Sequence, residues 1–253
     1  MSEIADMKAE IQVSFDSFFR TWKSELDTVS AELNSDPAKF LESYTRLVSL
    51  NKWRSPFLSS RVSEESMYFF IEALNDGLYS HVLASLGAWR VSLKTLRSCI
   101  ENTLNCLYYK DHPVELALWK EGKHRTNPSE LFTYLRYHPI VSRVNNIDRY
   151  IGQLESEYSV LSRAVHGSGE TFRMTTENEY TTFWTADAAR LGMWQTRERA
   201  VVASLNVVLV AFFHEELQGN SFPDLRNSIS LALTEDQRKF VREGMQVSLE
   251  DPV

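Results

Sequence analysis

Glycine and proline are scarce in this sequence, 9 and 7 among 253 residues. Folds of short strands and tight turns need both, so the shortage disfavours an all-β meander and favours long helices. Cysteine is scarcer still, limited to Cys99 and Cys106. Seven residues of helix hold such a pair roughly 10 Å apart, beyond the ~7 Å between Cα atoms that a disulfide spans. The two read as small buried hydrophobes and not as a redox couple. Long apolar runs are missing: the longest, residues 200–213, stops at His214-Glu215-Glu216, short of the ~20 residues of a bilayer span. The first twelve residues are charged and carry no apolar leader core, so a cytoplasmic, membrane-free location is expected. Positive charge is not in excess. A formal net charge of −7 disfavours a protein that coats nucleic acid through a basic surface, and leaves room for a local basic cleft.

Signature motifs are missing too. The sequence has no GxxxxGKS or GxxxxGKT phosphate loop, no GxGxxG, no GxSxG and no HExxH. The six histidines are scattered, none with a second ligand at metal spacing, so no metal and no cofactor is expected.

What is present is helical periodicity over a 43% hydrophobic chain. Ile4, Met7, Ile11, Phe15, Phe18, Trp22, Leu26, Val29 and Leu33 recur at three and four, which predicts one long amphipathic helix over 3–33. Asp36 and Pro37 suit the cap and first position of a second helix, ending near Leu50. Residues 51–62, with Ser55-Pro56, read as a loop. A long helical region follows to Lys110, interrupted at Gly77 and Gly87, as two antiparallel helices or one kinked helix. Shorter helices are expected over 113–120 and 128–137, the latter capped by Asn127. Further helices cover 145–166 and 186–217, and a capping box at Thr234 and Gln237 opens the last. Residues 172–184 are the one β-prone stretch and allow a small β-hairpin. The expected fold is an all-α multi-helix bundle in three segments: 1–62, 63–219 and 220–253.

Two segments carry polar chemistry. Arg97 and Glu101, at i and i+4, share a helix face among Leu93, Leu96, Ile100 and Leu104. They form either an intrahelical salt bridge or a polar pair turned into a cleft. Arg163 and His166, at i and i+3, close a later helix. One reading makes His166 a C-terminal cap before the helix-stopping Gly167. The other uses the imidazole to move protons and the guanidinium to clamp a phosphate, enough to cut RNA without metal when the 2′-hydroxyl is the nucleophile. Lys123, His124 and Arg125 form a basic loop that either contacts a nucleic-acid backbone or is simply solvated. Tyr108, Tyr109, Trp184 and Trp194 are base-stacking candidates or core.

An arginine and a glutamate on one long helix, followed by a helix ending Ser162-Arg163-x-x-His166-Gly167-Ser168, resembles bacterial helical proteins of the HEPN superfamily, closest to DUF5677-type families. The resemblance spans roughly residues 63–215. It implies a helical bundle, often dimeric, of a kind that includes metal-independent ribonucleases of toxin–antitoxin and phage-defence systems. The superfamily's usual arginine-to-histidine gap is four to six residues, whereas here it is two. Carried over, Arg163 is the phosphate clamp, His166 the proton-transfer group, and Glu101 orients one of them beside Arg97. RNA is then the expected substrate, a homodimer the expected state, and a second protein subunit an expected partner. The competing expectation is a non-catalytic helical sensor or scaffold. It would act through the long N-terminal helix, where Phe15, Phe18, Phe19 and Trp22 are dense enough for a dimer or partner interface, unless they are ordinary core.

Overall fold

The computed structural model describes residues 3–166, Phe172, 184–219 and 221–252. They form ten α-helices and, among the described residues, no strand. In chain order these are α1 (Glu3–Leu33), α2 (Ala38–Lys52), α3 (Glu64–Ser85), α4 (Trp89–Asp111), α5 (Pro113–Lys120), α6 (Pro128–Tyr137), α7 (Asp148–His166), α8 (Ala188–Leu217), α9 (Pro223–Ala232) and α10 (Glu235–Met245). The hairpin expected over 172–184 lies outside the described residues, Phe172 and Trp184 excepted.

The all-α expectation holds, and its helix ends follow local chemistry. Asn127 accepts from the Glu130 N–H while the Glu130 carboxylate accepts from the Asn127 N–H, and Thr234 and Gln237 do the same for α10. Ser63 caps α3. Other expectations need correction. Residues 51–62 are not an open loop: a π-type turn (Trp53–Phe57) and a 3-10 turn (Leu58–Ser60) carry helical chain inward, and Trp53, Phe57 and Leu58 are fully buried. Ser55, which precedes Pro56 in the sequence, is extended at φ −140° and ψ 132°. Pro37 sits at the cap of α2 and not at its first position, with Asp36 accepting from the Ala38 N–H. Gly77 does not break α3. It lets Leu47 of α2 approach so closely that a Cβ would stand 2.9 Å from its Cδ2. Residues 220–253 hold two helices where one was expected.

α8 is the axis of the bundle. It is nearly buried from Val201 to Phe213 and is wrapped by α2, α4, α7, α9 and α10. By length and composition it could cross a membrane, yet 78% of its most apolar window is buried inside the fold. One hydrophobic core runs from Leu33 to Leu249, so the three sequence segments share a single interior. Polar pins cross that interior. The Arg46 guanidinium of α2 holds Glu198 of α8 through Nε at 2.8 Å and Nη2 at 2.5 Å. Trp53 Nε1 donates to Asn206 Oδ1 at 2.9 Å, and Trp194 Nε1 donates to Ser80 Oγ at 3.0 Å.

α3 and α4 pair antiparallel over most of their length. The corner between them is set by Gly87 at φ +74°, a conformation that side chains disfavour. A Cβ there would meet Thr185 O at 2.7 Å and Val29 Cγ1 at 2.8 Å. Trp89 Nε1 donates to the same Thr185 carbonyl at 2.9 Å, so the corner also fastens the chain leading into α8.

Two stability outcomes follow. Gly87→Ala is expected to cost about 2 kcal/mol or more in urea unfolding, since strain and overlap coincide; a midpoint unchanged from wild type would contradict the corner geometry. Arg46→Ala should cost about 3–5 kcal/mol, and pairing Arg46→Met with Glu198→Leu should recover most of it. Equal losses in the two proteins would mean that the lone buried carboxylate is not the source.

Candidate functional site

α4 and α7 run antiparallel, and their shared edge is polar from end to end. Arg90, Arg97, Glu101 and Asn105 lie along α4 at spacings of seven, four and four, hence on one face. Facing them on α7 are Tyr158 and Ser162, one turn apart.

The middle of the seam is a closed cluster. Arg97 Nε donates to Ser162 Oγ at 3.0 Å, and Arg97 Nη2 donates to Glu101 Oε1 at 2.8 Å. The Tyr158 hydroxyl donates to the same Glu101 oxygen at 2.7 Å and also touches Arg97 Nη2. The Arg97 guanidinium lies 4.7 Å from the Tyr158 ring centroid. Burial, reinforced by Glu101, pushes the Tyr158 phenol up to about 12, so it stays a donor. Arg97 and Glu101 are thus both an intrahelical ion pair and a clasp on α7. The role expected for Glu101, orienting Arg163 or His166, is not what the single chain shows. Tyr158 precedes His166 by eight residues, about 12 Å along the helix, and Glu101 is held by Tyr158 and Arg97.

At the upper end, Arg90 reaches the last turn of α7. Its Nε donates to Ala164 O at 2.9 Å and its Nη2 to Val165 O at 3.3 Å. These are carbonyls that a helix end leaves without partners, and a cation there also suits the helix dipole. Arg163 and His166 share that last turn, both are exposed, and neither has an ion pair or hydrogen bond among the described residues. Arg90, Arg163 and His166 therefore gather around one helix terminus.

At the lower end, Asn102 Nδ2 donates to Asp76 Oδ2 at 2.8 Å. Burial raises the Asp76 carboxyl to about 6, against the pull of that hydrogen bond and with help from Glu72 and Glu101. Thr126 Oγ1 donates to Asn105 Oδ1 at 2.7 Å, tying the 121–127 loop to α4. Between them opens a cleft of about 420 Å³ that Glu101, Asn105, Trp119 and Arg125 help to line. The structure thus brings Arg125 and Glu101 to one cleft. The rest of the basic loop behaves otherwise. Lys123 is paired with Glu121 at 2.6 Å. His124 turns inward, its ring parallel to that of Tyr108 and edge-on to Tyr109, with Nε2 buried and without a partner among the described residues. Its ring is thus partly buried against the two tyrosines.

The stacking candidates also sort themselves. Tyr109 and Trp194 are core. Tyr108 is already stacked on His112 at 4.0 Å, and Trp184 lies 6.5 Å from Trp22. Sequence reasoning missed Arg90 and Asp76, and gave no role to Tyr158 or to the Ser162 of the Ser162–Arg163–His166 motif. The seven-residue step from Arg90 to Arg97, two helical turns on one face, was a usable signal for the first. Tyr158 and Ser162, one turn apart on the Arg163 helix, were a usable signal for the last two.

Among the described residues no group of three His, Cys, Asp or Glu side chains is placed to hold a metal ion. No protein-family model, curated protein or solved structure matches this chain.

The Asp76 carboxyl gives a pH signature. Its folded value near 6 lies above the unfolded one of 3.8, so between these values the folded state binds more protons. Its contribution is favourable at low pH and is lost as pH rises through about 6. Asp76→Asn keeps the Asn102 contact and should gain about 1–2 kcal/mol at pH 7.5, allowing for partial exposure, and nothing near pH 3.5. A gain independent of pH would rule out the raised carboxyl as its source.

Proposed function

We propose that this chain is a HEPN-like, metal-independent ribonuclease or toxin-type effector that acts on RNA at the free end of α7. One observation carries the reading: Arg163 and His166 are exposed, without partners among the described residues, on a helix end where Arg90 already caps the Ala164 and Val165 carbonyls. The structural duty that would explain a histidine at this position is performed by another residue, which leaves the imidazole and guanidinium available to a ligand. The HEPN resemblance of the Arg163–His166 segment supports the same reading, though its arginine-to-histidine gap is shorter than the family's.

In that role Arg163, with Arg90 behind it, holds a phosphate of the RNA chain. His166 takes the proton from the neighbouring 2′-hydroxyl as that oxygen bonds to phosphorus. The bond from phosphorus to the 5′-oxygen breaks, the leaving oxygen takes a proton from solvent, and the products are a 2′,3′-cyclic phosphate and a 5′-hydroxyl. Arg97 and Glu101 act as positioning residues that clasp α7 through Tyr158 and Ser162. Arg125 is the remaining loop cation suited to the RNA backbone. The setting that accompanies this reading is cytoplasmic, homodimeric and defensive, alongside a second protein subunit.

A non-catalytic sensor or scaffold is the second reading. It is favoured by the closed hydrogen bonding of Arg97 and Glu101, which is what a purely structural pair would make.

Purified protein incubated with total RNA or tRNA separates the two. The ribonuclease reading expects cleavage that survives EDTA, leaves cyclic phosphate ends, and falls by about 10²–10⁴-fold in His166→Ala. Arg163→Ala should also abolish most cleavage, and both variants should retain wild-type circular dichroism. Absence of cleavage by folded wild-type protein, or cleavage retained in both variants, overturns the assignment and leaves the scaffold reading.

A further inference from the structure

The apolar positions of α1 follow an order beyond simple amphipathicity. Ile4, Met7 and Ile11 are repeated eleven residues on by Phe15, Phe18 and Trp22, and again by Leu26, Val29 and Leu33. The spacing is 3-4-4 throughout. Eleven residues in three turns is 3.67 per turn, close enough to the α-helix that the stripe stays on one face. Its third repeat is in use within the chain: Leu33 is buried, Leu26 and Val29 are partly covered, and Val29 packs at the Gly87 corner. The first repeat and the start of the second are not. Every residue from 3 to 21 is exposed, with Ile4 at 71%, Met7 at 56%, Ile11 at 60% and Phe15 at 54%. Along the edge of the stripe, Phe15, Phe19 and Trp22 form a ladder of ring contacts that ends on Trp184 beside the bundle. A continuous apolar face of about 28 Å on a projecting helix is what soluble chains bury against a partner.

We infer that this face is covered by the α1 helix of a second copy of the chain, packed antiparallel about a two-fold axis near residue 13. Three features choose that occupant. The stripe is continuous with one already buried in the chain's own fold, so it is built for helix packing. Its charges are complementary to themselves only when reversed. Residues 3–12 carry Glu3, Asp6 and Glu10 against Lys8, a net −2, while 13–24 carry Arg20 and Lys23 against Asp16, a net +1. Antiparallel pairing sets the negative half on the positive half and opposes the helix dipoles. Parallel pairing sets like on like and crowds both bundles at one end. Shape agrees at the ends and centre of the stripe: reversal lays the aliphatic Ile4 and Ile11 against the aromatic Trp22 and Phe15, with Met7 against Phe19 at the stripe's edge. The two-fold contact is self-complementary and closes at two copies. The pairing does not depend on the RNA reading.

Sedimentation velocity on the full chain should give twice the 29.2 kDa chain mass at tens of micromolar. Ile11→Asp combined with Phe15→Asp should halve the mass and leave helix content and melting temperature unchanged, because residues 3–21 do not support the bundle. Spin labels fix the direction, since the native Cys99 and Cys106 are buried and remain unlabelled. Labels on Glu3→Cys should lie about 30 Å apart along the axis, and labels on Ser14→Cys much closer, in the antiparallel pair. Equal separations at both positions mean parallel helices and overturn the arrangement. A monomeric wild type, a higher oligomer, or a dimer that survives the double aspartate variant overturns the interface.

Discussion

The buried Arg46–Glu198 pair is the contact that holds the fold in register. α8 is apolar enough that its packing alone would permit several rotations about its axis, because apolar burial is non-directional. One buried carboxylate on that helix removes the freedom, since it must meet its guanidinium or suffer a heavy desolvation penalty. Burial pushes the Glu198 carboxyl above its usual range while Arg46 pulls it down. Asn206 with Trp53 and Ser49, and Trp194 with Ser80, repeat the constraint above and below. With α8 fixed against α2 and α3, the helices packed on its other side are fixed as well, and the α4–α7 seam takes its position from them.

The seam itself shows a division of labour. Its interior residues satisfy one another, while Arg163 and His166 at the end of α7 have no partner among the described residues. Arg97, Glu101, Tyr158 and Ser162 form a set in which each hydroxyl and charge has a partner inside the chain, so their removal would loosen α7 before it altered any chemistry. Arg163 and His166 sit beyond the clasp, at a helix end neutralised from behind by Arg90. The arrangement is that of a rigid mount carrying two polar groups that are unpaired among the described residues, whether those groups meet an RNA phosphate or a partner protein.

Local order was legible in the sequence, and long-range order was not. Helix ends governed by short-range chemistry, such as the Asn127 and Thr234 boxes and the Arg97–Glu101 step, could be read from residues three or four apart. The 51–62 stretch misled because Ser55-Pro56 advertises a turn, while the burial of Trp53 and Phe57 against Phe213, over 150 residues away, decides the outcome. α9 escaped because it starts from Phe222 at φ 56°, a backbone state that no aromatic residue advertises. In the site, the partners of Arg90 and Arg97 lie 61–75 residues along the chain. Periodicity could place the arginines on a face, but only packing could say what that face meets.

The Gly87 corner and the Arg90 cap have a joint consequence for how this protein can change. Arg90 secures the chain at residues 164 and 165, and Gly87 and Trp89 secure it again at Thr185, so both fastenings sit on one turn at the head of α4. One turn of one helix thereby fixes both where α7 ends and how the chain approaches α8. Descent with modification is then constrained at the head of α4, because a change there would move the end of α7, with Arg163 and His166, and the approach to α8 together.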